Sequence, residues 1–111
     1  MSSATLDIVA TFLPKPGKSR VLIDLLSSVA EKAKEQEPGT LIYSILEAKG
    51  LDGIDQVVII ERYTGQDTLD FHMAQPYYKE MAAKFDELCE QRPTASIGTV
   101  RGGFIKEAAA S

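Results

Sequence analysis

Apolar and polar residues change their spacing repeatedly along this chain, and the changes mark its elements. "TLDIVATFL" (5–13) is dense in β-branched and aromatic residues and predicts a strand. "PKPGK" interrupts it, because Pro14 and Pro16 have no N–H to give a ladder. From Ser19 the period lengthens: Leu22, Leu25, Leu26 and Val29 recur at i, i+3, i+4 and i+7, with Glu31, Lys32, Lys34 and Glu35 beyond them. That spacing predicts an amphipathic helix with one face on a core. "EPGT" closes it, since Pro38 disfavours helix at Glu37 and Gly39 permits a turn.

Two further strands follow, "TLIYSILEA" (40–48) and "DQVVIIERY" (55–63), joined by "KGLDGI". A hairpin symmetric about that loop sets Tyr43 opposite Glu61 and Ile45 opposite Ile59. One face then carries Leu41, Tyr43, Ile45, Val57, Ile59, Glu61 and Tyr63. The other carries Ile42, Ser44, Leu46, Val58, Ile60 and Arg62. Both faces are largely apolar, whereas a lone two-layer domain needs only one such face. A second copy of the chain is the simplest cover, so a homodimer built through sheet faces is expected.

"TGQD" (64–67) offers Thr64 as N-cap, with Asp67 three residues on, for a short helix through Met73. Pro76 suits the first turn of another helix, whose Tyr78, Met81, Phe85 and Leu88 form the expected buried stripe. A last strand is expected over roughly 94 to 105, loosened by Gly98, Gly102 and Gly103, with a frayed tail from about 106. The order β-α-β-β-α-β, with its second helix in two pieces, predicts a ferredoxin-like α+β fold: four antiparallel strands with helices on one face.

Length and composition narrow the function. The 111 residues suit a single domain spanning 1–111. Net charge is −4, and the twelve Lys and Arg are scattered, which argues against nucleic acid and anionic membranes as partners. The start of the chain is too polar to read as a signal peptide or a membrane span. One cysteine permits no internal disulfide and points to a reducing, cytoplasmic setting. Cys89, four residues after Phe85, reads as a buried structural thiol. With one His and one Cys, no Cys/His zinc cluster can form within the chain, and no metal is expected.

The single histidine stands in "LDFHMAQPYY" (69–78) among aromatics. Histidine alone titrates near neutrality unaided, so His72 is the candidate proton acceptor. The bland alternative is a half-exposed helix histidine satisfied by a carboxylate such as Glu61 or Asp70. Tyr43 and Glu61 can form a cross-strand hydrogen-bonded pair, either catalytic or serving only to hold register. Tyr63, Phe71, Tyr77 and Tyr78 can line a flat pocket for an aromatic substrate, or simply fill core. Arg62 and Arg101, both placed on strands, are candidates to steady an anionic oxygen. As a pocket residue rather than a packing keystone, His72 is expected to cost no more than about 1 to 2 kcal/mol when truncated.

"EPGTLIY", "IIERY" and "LDFH" together resemble the antibiotic biosynthesis monooxygenase family, over nearly the whole chain and including the "PKPGK" entry to the first helix. The most specific matching residues are Glu37-Pro38-Gly39-Thr40, Tyr43, Glu61 with Tyr63, and His72. The resemblance implies open sheets paired into a dimeric α/β barrel. It also implies a cofactor-independent monooxygenase acting on a small phenolic, hydroquinone or anthrone-like compound with molecular oxygen. The family's haem-degrading branch uses an asparagine on strand one, a tryptophan and a last-helix histidine. This chain has neither Asn nor Trp, and "EMAAKF" supplies no axial ligand, so no haem is expected. Many quinol monooxygenase-like members carry a second histidine where this chain has Tyr77. The alternatives are an isomerase or tautomerase on a small carbonyl compound, using the same His72 without oxygen, and a non-catalytic dimeric small-molecule-binding protein.

Overall fold

A computed structural model describes residues 5–108. The elements are β1 (Leu6–Phe12), α1 (Ser19–Gln36), β2 (Thr40–Lys49), β3 (Asp55–Tyr63), α2 (Gln66–Ala74), α3 (Pro76–Ala82), α4 (Phe85–Leu88) and β4 (Thr94–Gly98). The four strands form one antiparallel sheet in the order β2-β3-β1-β4, the ferredoxin-like arrangement.

The hairpin register follows the hydrophobic pattern, with Tyr43 opposite Glu61 and Ile45 opposite Ile59. Leu41 departs from it: the pairing slips between Thr40 and Ile42, so Leu41 bulges out and is exposed. The helix-covered face carries Phe12, Val57 and Ile59, which pack on Leu22, Leu26 and Val29 of α1 and on Met81 of α3. Phe12 and Phe85 meet edge-to-face with ring centres 5.0 Å apart. Cys89 closes the far end of this core as a buried thiol, and burial pushes its pKa up.

Three boundaries differ from the sequence reading. Gly65, not Thr64, caps α2: the Thr64 hydroxyl meets that of Thr68 at 3.0 Å, and Thr68 Oγ1 accepts the Gly65 N–H. Tyr77 is buried on α3, whereas Tyr78 and Phe85 are only half-buried, because α3 ends at Ala82 and α4 restarts the helical phase. The last strand stops at Gly98 instead of running to 105. Val100, Phe104 and Ile105 lie outside any strand and are exposed, as is Arg101. Residues 106–108 have no regular structure, and the remainder of the expected tail, 109–111, lies outside the described residues.

The second sheet face is open to water in the single chain. Val9, Leu46 and Ile60, from three neighbouring strands, are 46 %, 41 % and 36 % exposed.

Candidate active site

The site begins at the "EPGT" turn. The Glu37 N–H still bonds the Ala33 carbonyl, and Pro38 stops α1 there. Gly39 is needed for close approach: a Cβ built on it would lie 2.2 Å from Thr68 Cγ2. The turn therefore sits directly on α2, and the Gly39 carbonyl accepts the Thr64 N–H at 3.0 Å. Thr68 lies one helical turn before His72, so the contact that seats Gly39 also brings Glu37 beside the imidazole.

His72 is 1 % exposed and shares the buried stripe of α2 with Leu69. Its Nδ1 lies 2.7 Å from Glu37 Oε1. The same carboxylate accepts the Thr40 hydroxyl on Oε1 at 2.7 Å and the Tyr77 hydroxyl on Oε2. On the other edge of the ring, Nε2 lies 3.8 Å from Glu61 Oε1, an oxygen that also accepts the Tyr63 hydroxyl. The rings of Tyr78, Tyr63 and Tyr43 surround the imidazole at centre distances of 5.1, 5.5 and 6.0 Å. The histidine thus bridges two buried carboxyl groups contributed by different parts of the fold.

One side of this cluster faces a cavity of about 250 Å³ between the sheet and α2–α4. Glu61, His72, Tyr43 and Tyr78 supply its polar groups, and its walls are aliphatic and aromatic, among them Ile59, Leu69 and Met81. No lysine or arginine lines it. Burial holds Glu61 above the ordinary carboxylate range, partly opposed by the Tyr63 hydrogen bond and by His72. Burial, then the nearby Glu61 charge, also raises Tyr43 and Tyr78, so both remain neutral hydroxyls. Such an arrangement can take a proton from a neutral substrate and offer O–H donors to the resulting oxyanion.

The residues singled out from the sequence separate into groups. His72, Glu61, Tyr43 and Tyr78 come together at the cavity. Tyr63 and Tyr77 do not line it; each is buried behind the cluster, donating its hydroxyl to Glu61 and Glu37 respectively. Glu61 takes its hydrogen bond from Tyr63 and not from the facing Tyr43. Phe71 is 50 % exposed, because it lies about 100° around α2 from His72, off the buried stripe. Arg62 alternates to the other sheet face, where Nε and Nη2 bond the two oxygens of Asp7 at 2.7 and 2.9 Å. Neither Arg62 nor Arg101 lines this cavity. Asp70 is exposed and accepts a bond from Gln66, so it is not the partner of His72.

Glu37 was missed as a site residue. Its only sequence signal was its place in "EPGT", and its pairing with a residue 35 positions away depends on tertiary contact. The near-complete burial of His72 also overturns the half-exposed reading and, with it, the expectation of a small cost on truncation.

Three comparisons bear on kinship. The family model for antibiotic biosynthesis monooxygenase matches residues 6–102. The protein named "Putative monooxygenase Rv0793", from Mycobacterium tuberculosis, is 31 % identical over 88 residues, covering 79 % of this chain and 82 % of that protein. The structure of Rv0793 superposes with a TM-score of 0.73 at 24 % identity, covering 96 % of this chain and all of that one. The crystal structure of "a putative antibiotic biosynthesis monooxygenase" from Caulobacter crescentus gives a TM-score of 0.80 at 24 % identity, over 91 % and 93 % of the two chains. A conserved protein from Methanosarcina mazei gives 0.77 at 21 % identity, over 90 % and 96 %. With a family model spanning nearly all of the sheet and helices described above, the chain belongs to the antibiotic biosynthesis monooxygenase family.

Proposed function

We propose that this protein is a cofactor-independent monooxygenase for a small, neutral phenol, hydroquinone or enol. The observation that carries the reading is the convergence of Glu61 and His72 on one apolar cavity with no lysine or arginine among its described lining residues. A neutral hydroxylated ring suits such a site, and an anionic substrate would meet a carboxyl group, the imidazole and tyrosines, with no lysine or arginine among the described lining residues.

The Glu61–His72 pair takes the substrate's hydroxyl proton, while the Tyr43 and Tyr78 hydroxyls support the anion. A phenolic O–H is a far weaker acid than a carboxyl group or an imidazolium, so the transfer is uphill. Tyrosine donors in a dry pocket offset part of that. The anion passes one electron to molecular oxygen, and the resulting radical and superoxide combine at a ring carbon. Loss of water from the hydroperoxide leaves a new carbonyl. For a simple hydroquinone, one quinol and one O₂ give one hydroxyquinone and one water. The open sheet face with Val9, Leu46 and Ile60 is covered by a second copy, since an apolar face of this kind is costly in water.

Oxygen uptake with a panel of hydroquinones and anthrones tests the chemistry. Glu61→Gln is expected to lower kcat on the order of 10²- to 10⁴-fold. Turnover that proceeds equally well without oxygen would replace this reading with an isomerase, and absence of turnover across the panel with tight binding would replace it with a binder. Sedimentation at micromolar concentration should give twice the 12.1 kDa chain mass; a monomer refutes the sheet-face pairing.

A further inference from the structure

We propose that Glu37 is a positioning residue that holds His72 with its proton on Nδ1, so that only Nε2, on the Glu61 side, exchanges protons. The consequences for turnover rest on the oxygenase reading above; the protonation state itself does not.

The argument is a count of donors. An ionised carboxylate has no proton to give, so every group bonded to it must donate. Glu37 holds three partners: the Thr40 hydroxyl, the Tyr77 hydroxyl and His72 Nδ1. The two hydroxyls can each supply a hydrogen, and the third site then requires N–H at Nδ1. Even a protonated Glu37 could donate to one partner only, at the cost of a bond the other hydroxyls can make without it. Burial leaves little water to substitute for any of the three, since Glu37 is 3 % exposed.

Fixing Nδ1–H decides what happens on the other edge. A neutral ring presents a bare Nε2 toward Glu61 Oε1 at 3.8 Å, and two acceptors do not attract. That unloaded form, with Glu61 ionised, is the base: the substrate's hydroxyl proton settles between the two, on Glu61 or on Nε2. Glu61 and His72 therefore act as one base with a single mobile proton. Both line the cavity; Glu61, at 8 % exposure against 1 % for His72, is the more open of the two and takes the proton first. The groups facing the ring are Glu37 from the α1–β2 turn, Tyr43 from β2, Glu61 and Tyr63 from β3, and Tyr78 from α3. The other three elements contribute neutral hydroxyls or the exchanging carboxyl, which leaves Glu37 as the fixed acceptor.

The single histidine makes the test direct, because ¹⁵N-histidine labelling of the full chain reports this ring alone. Long-range ¹H–¹⁵N spectra of the wild type between pH 6 and 8 should show Nδ1 protonated throughout, with Nε2 either bare or protonated. A bare Nδ1 in the wild type overturns the proposal, with no variant needed. Glu37→Gln, whose amide can turn its NH₂ toward the ring, should move the population to the Nε2–H tautomer. Tyr77→Phe keeps the carboxylate and should keep Nδ1–H. An unchanged tautomer in Glu37→Gln, or a switched one in Tyr77→Phe, also refutes the assignment to Glu37. With a hydroquinone substrate in hand, Glu37→Gln should lower kcat on the order of 10²- to 10⁴-fold with little change in KM. If the tautomer shifts and kcat does not, the oxygenase reading fails while the tautomer assignment stands.

Discussion

Replacing His72 by alanine should destabilise the protein by about 3 to 5 kcal/mol, well above the cost expected for a pocket-lining side chain. Two contributions can be read from the structure. The Nδ1 bond at 2.7 Å goes to a buried carboxylate, and hydrogen bonds to charged groups are worth about 1.5 to 3 kcal/mol. Loss of the ring also removes packing against Tyr43, Tyr63 and Tyr78, for which large-to-small truncations cost about 2 to 5 kcal/mol. Two features hold the total below the simple sum. Glu37 retains its Thr40 and Tyr77 donors, and the adjoining cavity gives water a route to the vacated space. At about 4 °C per kcal/mol for a domain near this size, Tm should fall by roughly 12 to 20 °C. Urea denaturation at one fixed protein concentration measures it, because association would otherwise move the midpoint. His72→Gln, whose amide can still donate to Glu37, should recover part of the loss. A destabilisation below about 1 kcal/mol in His72→Ala would show that the Glu37–His72 bond does not anchor α2 to the α1–β2 turn, and the buried network would have to be redrawn.

Three further outcomes follow from neighbouring features. Glu61 is held above its ordinary value near 4.5, so the folded state binds its proton more tightly than the unfolded chain does; its contribution to stability is full below that value and fades as pH rises through the folded pKa. Urea midpoints measured from pH 4 upward should therefore fall less steeply in Glu61→Gln than in the wild type, and identical slopes would count against a desolvated carboxyl. Gly39→Ala drives a methyl group into Thr68 and should cost about 1 to 3 kcal/mol by thermal melting, with weakened protection of Nδ1–H against exchange; a neutral effect would mean the turn does not rest on α2. Arg62→Ala and Phe71→Ala lie off the cavity and should leave kcat unchanged, whereas a loss above tenfold in either would relocate the site.

Much of this protein is legible in its sequence because the signals are local. A period of 3.6 over Leu22–Val29 and β-branched runs on either side of "KGLDGI" determine α1 and the β2–β3 hairpin, and symmetry about that loop determines that Tyr43 faces Glu61. Alternation along β3 also places Glu61 and Arg62 on opposite faces, but which face the helices cover, and so which of the two meets the cavity, is decided by the packing. The ends of elements were less legible: Thr64 and Gly65 both suit an N-cap, and beyond Gly98 the strand pattern pairs with no strand among the described residues. What only the tertiary structure decided is which side chains share a proton network. Tyr63 and Tyr77 read as pocket aromatics, yet their hydroxyls point to Glu61 and Glu37, because a buried carboxylate must recruit donors wherever the fold supplies them. Glu37 looked like the last residue of a helix. It becomes the acceptor for His72 only when Gly39, having no side chain, allows the turn to settle on Thr68, and no spacing along the chain records a contact made between residues 35 positions apart.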